Sequence, residues 1–328
     1  MFGYLRFFLS FLVVISHVGI RFYGLNPGVI AVVIFYLLAG HVVSRLWSDI
    51  LPCGPGKLAK FYTDRALRIF PLYIYVSLLT LVFLVVTGYA KPEFSFLKLA
   101  GNFLVVPLNY YMVVDTTILT KPDWCLVPPA WSLGAELQAY VLLPLVLMKK
   151  QLKLLLAAAS FGVYLLANLC VIHPDYFGYR LIFGVFFVFV AGASLQAGRA
   201  AQSRFRFDFD TLYPWLLWFL TAVLCAVFSR QNLFSPAYTR ETFIGILVGI
   251  PLVRLMGKLR VKLPWNGLLG SLSYGVFLSH FLMIWLLDHT GLTKEYPAAY
   301  IPVIIIGSTL VAYSGVKYLE DHIDKFRK

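Results

Sequence analysis

YLRFFLSFLVVISHVGIRF, residues 4–22, is an apolar run long enough to cross a bilayer as a helix, and it carries Arg6 and His17. The two stand eleven residues apart, almost three helical turns. Both side chains therefore fall on nearly one face, about 16 Å apart along the axis. Ionisable groups inside a span are costly; they face a bundle interior or a water-filled cavity and mark a functional site by default. The structural alternative is a hydrogen-bonded core histidine with Arg6 snorkelling to the interface.

Working outward, the whole chain has this character. Of its 328 residues 60% are hydrophobic and only 13% charged, which excludes a soluble globule with a polar surface. Repeated apolar runs near 20 residues argue for helices rather than a barrel. The fold class is all-α, a polytopic transmembrane bundle with ten expected spans: 4–22, 28–46, 70–89, 131–148, 152–172, 180–198, 212–228, 241–257, 267–287 and 299–318. The stretch 97–114, interrupted by Pro107 and Asn109, reads as re-entrant, interfacial or an eleventh span.

The net charge of +13 invites a nucleic-acid reading, but the basic residues cluster in alternate loops. With the N-terminus inside, the cytoplasmic segments hold 20 of the 28 Lys and Arg residues, among them Arg204, Arg206, Arg260, Arg327 and Lys328. That is the positive-inside bias, and it sets an N-in, C-in topology with ten spans. An eleventh span would invert everything downstream, so 97–114 is expected not to cross. The first span lacks the small-residue cleavage pattern of a signal peptide. Cys53, Cys125, Cys170 and Cys225 show neither disulfide nor zinc spacing, and no hydrolase elbow, nucleotide loop or zinc helix appears, so no metal is expected.

Chemistry concentrates at a few places. Arg65 and Arg68, spaced i, i+3 before the third span, form a guanidinium fork suited to phosphates, and Lys57 and Lys60 repeat the spacing upstream. Ordinary positive-inside charge or lipid headgroup binding is the alternative. Glu136 lies about five residues into the fourth span, behind the interfacial Trp131 and the helix-stopping Pro128 and Pro129. His17 lies at matching depth. A His–Glu pair there could hold an imidazole in one tautomer as a general base, or could be a structural pair fixing helix register. The ninth span carries Ser271, Ser273, Tyr274, Ser279 and His280, and the second carries His41 one turn from Arg45.

Taken together and in order, RFFLSFLVVISHV, IFYLLAGHVVSRLW, FYTDRALRIFPLY, WSLGAELQAYVLLP, LSYGVFLSH and YLEDHIDK resemble acyltransferase family 3, the membrane O-acetylases of bacterial O-antigen, exopolysaccharide and Nod factor. The chain departs from the family at Ala39-Gly40-His41, where Ser-Gly-Phe is usual. The resemblance implies one transmembrane acyltransferase domain over 1–328, without an appended SGNH-type domain, in the bacterial inner membrane. It also implies transfer of an acyl group, usually acetyl, from cytoplasmic acyl-CoA to a sugar hydroxyl of an envelope polysaccharide or glycolipid. Catalysis then falls to His17 and Glu136. Binding of acetyl-CoA falls to Arg6, Arg65, Arg68, Lys57 and Lys60. The acceptor falls to Trp131, Ser132, Ser273, Tyr274, His280 and His41. Partners would be acyl-CoA, the carbohydrate acceptor and membrane lipids, with no nucleic acid. A proton-coupled transporter or flippase is the competing class, since membrane-buried His, Glu and Arg serve such carriers too; against it stands the lack of inverted repeats. A lipid-binding scaffold leaves His17 and Glu136 unexplained.

Overall fold

The computed structural model describes residues 1–201, 209–259, 261–292, 297–323 and 325. Arg204, Arg206, Arg260, Arg327 and Lys328 of the inner loops lie outside the described residues. The chain divides into two compact units: residues 1–19, 63–134 and 262–328, and residues 20–62 and 135–261. Every one of the ten expected helices is present. They are α1 (Phe2–His17), α2 (Pro27–Arg45), α3 (Lys57–Thr87), α5 (Ala130–Met148), α6 (Lys150–Asn168), α7 (Ile182–Ala201), α8 (Phe209–Arg230), α9 (Thr239–Lys258), α10 (Asn266–Thr290) and α11 (Tyr300–Gly315), with the short α4 (Phe96–Leu104) between α3 and α5. Among the described residues eight helices are long and apolar enough to cross a membrane. The other two are α1, which has 16 residues, and α9, whose charges (Arg240, Glu241, Arg254, Lys258) sit at its ends. The protein is an all-α polytopic bundle.

Two helix boundaries move furthest from their expected places. α3 begins at Lys57, thirteen residues early, because KLAKFYTDRALRIF is rich in helix formers and continues through Pro71. α1 ends at His17 rather than Phe22. Gly19, at φ 89°, takes the left-handed conformation that stops a helix at little cost only for glycine.

In the first unit α10 is the axis. Gly275 packs against α11 and α3 so closely that a Cβ there would lie 2.4 Å from Ala312 Cβ and 3.4 Å from Leu72 Cδ2. Small residues let membrane helices approach in this way. The stretch 97–114 does not form a span. α4 has nine residues, about 13.5 Å of helix. Val105 then turns to φ 66°, and a 3₁₀ turn carries Pro107. Beyond it lies a small hairpin, β1 (Leu119–Thr120) with β2 (Asp123–Trp124). Asn102, fully buried, staples this segment together: Nδ2 donates to Lys98 O and Thr116 O, and Oδ1 accepts from Leu126 N, each at 2.8 Å. Tyr73 OH on α3 donates to Asn102 O at 2.7 Å, so no polar group of the staple is left without a partner.

In the second unit α2 and α7 are buried on nearly every face, the pattern of helices surrounded by others. They touch backbone to backbone: a Cβ on Gly40 would lie 1.9 Å from Phe189 O, and one on Gly192 1.9 Å from Leu37 O. Asn26 caps α2 ahead of Pro27, and its N–H donates to Glu241 Oε1 of α9 at 3.0 Å. Lys153 is paired with Asp210, which also accepts from Ser194 Oγ at 2.8 Å.

Candidate functional site

The site is built on α1 and α10. At one end Gly3 N donates to Asn266 Oδ1 at 3.0 Å and Tyr4 OH to Pro264 O at 2.9 Å. Fourteen residues on in both helices, His17 meets His280, again at a sequence offset of 263. Two contacts with one offset, about 21 Å apart, mean that the helices run parallel and in register. With ten crossings, a parallel α1 and α10 are what a non-crossing α4 gives.

His17 Nδ1 lies 3.0 Å from His280 Nε2, with the rings stacked at 5.0 Å and 24°. His280 is fully buried, whereas His17, the last residue of α1, is exposed. The hydrogen bonds fix the tautomers. His280 Nδ1 is 3.2 Å from Val276 O, and a carbonyl oxygen only accepts, so Nδ1 carries the proton. His280 Nε2 then presents a lone pair, and the bond to it requires a proton on His17 Nδ1. In the neutral pair the basic nitrogen of His17 is therefore Nε2. An imidazole so oriented by a second group is the arrangement of a general base or nucleophile.

Phe281 walls the pair, its ring 4.9 Å from His17 and 5.0 Å from His280. Trp124 of the hairpin stands 5.3 Å from Phe281. Trp285 and Tyr89 extend the aromatic wall. Burial and the nearby Asp288 carboxylate push the Tyr89 phenol up to about 12, so it remains a donor at neutral pH.

The other sequence-derived candidates take these places. Arg6 sits on α1 three turns before His17. Arg65 is buried and paired with Asp64 through Nε (2.9 Å) and Nη2. Arg68 Nη1 reaches Ser271 Oγ at 3.0 Å and both oxygens of Glu320, at 3.1 and 3.0 Å. The fork is thus already matched to carboxylates. Tyr274 OH donates to Ile69 O at 3.1 Å, Ser273 Oγ to Gly270 O, and Ser132 Oγ to Pro129 O, so these hydroxyls serve backbone carbonyls. Trp131 O accepts from Asn109 Nδ2. In the second unit Lys57 Nζ lies 4.4 Å over the Trp47 ring, Lys60 is exposed, and His41 is buried on α2. Glu136 also belongs there and accepts from Tyr140 one turn on. Trp124 and Phe281 were missed. Trp124 closes the sequence KPDW (residues 121–124), and the hairpin brings it against Phe281, which borders His17. Among the described residues no three His, Cys, Asp or Glu side chains gather as a metal site.

Apolar helices that present an exposed imidazole, braced by a buried one, define a membrane protein equipped for acid–base or nucleophilic chemistry. The comparisons give the family. The acyltransferase domain of acyltransferase family 3 matches residues 2–316, and the chain belongs to that family. An uncharacterized protein of Aquifex aeolicus (strain VF5) is 44% identical over 211 residues, 63% of this chain and 92% of that one. Nodulation protein 10 of Rhizobium leguminosarum bv. viciae is 27% identical over 286 residues, 79% of this chain and 71% of that one. No solved structure matches. The chain is a multi-pass membrane acyltransferase.

Proposed function

We propose that this acyltransferase moves an acetyl group from acetyl-CoA, bound from the cytoplasmic side, to a sugar hydroxyl of an envelope polysaccharide or glycolipid in the bacterial inner membrane. One observation carries the reading: the exposed His17 imidazole, held by His280 with Nε2 as its basic nitrogen. His17 Nε2 takes the proton of the acceptor hydroxyl as its oxygen attacks the thioester carbonyl. The C–S bond breaks, and the CoA thiolate takes that proton back from the imidazolium, leaving an ester and a free thiol. His280 is a positioning residue in this scheme. Glu136 is assigned a supporting charge, and the inner basic residues (Arg6, Lys57, Lys60, Arg65, Arg68) are assigned to the phosphates of the donor, Arg65 and Arg68 by exchanging their carboxylates. The family supports acyl transfer.

The test is acetyl-CoA-dependent product formation by detergent-purified protein, wild type and His17→Ala. Transfer lost in a folded variant is expected. Normal transfer by His17→Ala would remove the mechanism, and substrate movement without a new covalent bond would make the protein a carrier.

A further inference from the structure

Trp124 has two unusual properties together. It is 36% exposed, yet it sits in a hydrogen-bonded hairpin of the loop between α3 and α5. Its carbonyl accepts from Ile118 N at 2.8 Å, Ile118 O accepts from Glu93 N at 2.8 Å, and the buried Asn102 closes the segment two residues beyond. An indole so exposed, on a hydrogen-bonded mount beside the imidazole pair, offers a flat face to a ligand.

What it faces follows from the rings behind it. Trp124 stands 5.3 Å from Phe281, tilted by 55°, and Phe281 stands 4.9 Å from His17. Indole and imidazole centroids are therefore within about 10 Å of each other, joined by one aromatic wall. Phe281 itself is only 6% exposed, so the accessible ring surface of this wall is on Trp124. A sugar ring laid on the indole would bring its rim hydroxyls toward the exposed imidazole, two ring contacts away. The C–H face of a pyranose is apolar while its rim carries hydroxyls, so it matches a flat aromatic face with polar surroundings.

Resting on the reading of His17 as the base, we propose that Trp124 is the stacking platform for the acceptor's pyranose ring, and that the Trp124–Phe281 wall sets which hydroxyl meets His17. The ligand class is a glycoside. A free alkyl chain lacks the hydroxyl that His17 would deprotonate.

The test uses the full-length protein in detergent, labelled with 5-fluorotryptophan. Fluorine NMR resolves the seven tryptophans, and loss of one resonance in Trp124→Phe assigns Trp124. Octyl glycosides of glucose, galactose and N-acetylglucosamine are titrated against octyl tetraethylene glycol ether, which has the same tail without a sugar. We expect the Trp124 resonance to shift saturably with at least one glycoside and not with the ether, in both wild type and His17→Ala. In turnover, Trp124→Ala should raise the acceptor KM roughly threefold to tenfold and leave the KM for acetyl-CoA unchanged. No shift with any glycoside, or an equal shift with the ether, overturns the platform. Because the titration does not need chemistry at His17, it separates failure of the platform from failure of the transferase mechanism.

Discussion

His17 Nδ1 lies 3.0 Å from His280 Nε2, and this bond decides which nitrogen of His17 is the base. One carbonyl sets it: Val276 O accepts from His280 Nδ1–H, which leaves His280 Nε2 able only to accept from His17. His280→Phe keeps a ring in the buried position and removes the acceptor. We expect transfer to fall on the order of 10²-fold with little change in KM, since a base left in the wrong tautomer or orientation costs turnover. Nitrogen-15 NMR of labelled histidine should show a protonated Nδ1 on His17 in the wild type and mixed tautomers in the variant. A wild-type His17 carrying its proton on Nε2 would contradict the assignment.

The far end of the same helix pair gives a second prediction. A Cβ on Gly3 would lie 1.8 Å from Asn266 O, inside any tolerable contact, whereas one on Gly270 would meet Gly3 Cα at an ordinary 3.6 Å. Gly3→Val should therefore push α1 off α10 and cost about 1–3 kcal/mol. Gly270→Ala should be neutral or slightly stabilising, because alanine is the better helix residue. Thermal unfolding in detergent measures both. Equal melting temperatures for the two variants would mean that the register of α1 on α10 is not held there.

Much of this was legible in the sequence. Ten helices follow from ten apolar runs, and the failure of 97–114 to cross follows from Pro107 and from the loop charges it would have inverted. The helix ends were less legible. Gly19 stops α1 by a left-handed turn that hydropathy does not register, and α3 starts thirteen residues early because its first turns are polar while helix hydrogen bonding needs no apolar sequence. Least legible were the pairings. His17 and His280 could each be singled out as ionisable groups inside apolar helices, but an interaction across 263 residues depends on the helices being parallel and in register. Arg65 and Arg68 read as a phosphate fork because their spacing was visible and their carboxylate partners were not.

Those partners lead to a third prediction. Arg68 is mostly buried, with its side chain 19% exposed, and Glu320 is 5% exposed, so neither charge has enough water to stand alone. Glu320→Gln should lower stability by about 3–5 kcal/mol, the usual cost of stranding one member of a buried ion pair. The double variant Arg68→Leu/Glu320→Leu should recover most of that loss while binding acetyl-CoA more weakly than wild type, by calorimetry. Full-strength binding by the double variant would take Arg68 out of the donor site.

Glu136 poses a different question, because its described partner is Tyr140 on its own helix. Carboxylate charge and hydrogen-bonding shape can be separated there. Glu136→Gln keeps the shape and an acceptor oxygen but removes the charge; Tyr140→Phe removes one donor and leaves the charge. If the carboxylate charge serves transfer, Glu136→Gln should reduce turnover by roughly 10²-fold, and Tyr140→Phe by only a few-fold. Both variants should insert and melt close to wild type, since Gln is nearly isosteric and Tyr140 stays packed as Phe. Steady-state transfer by the two purified proteins distinguishes the cases. Turnover preserved in Glu136→Gln but lost in Tyr140→Phe would make the phenol, rather than the carboxylate, the group that matters on α5.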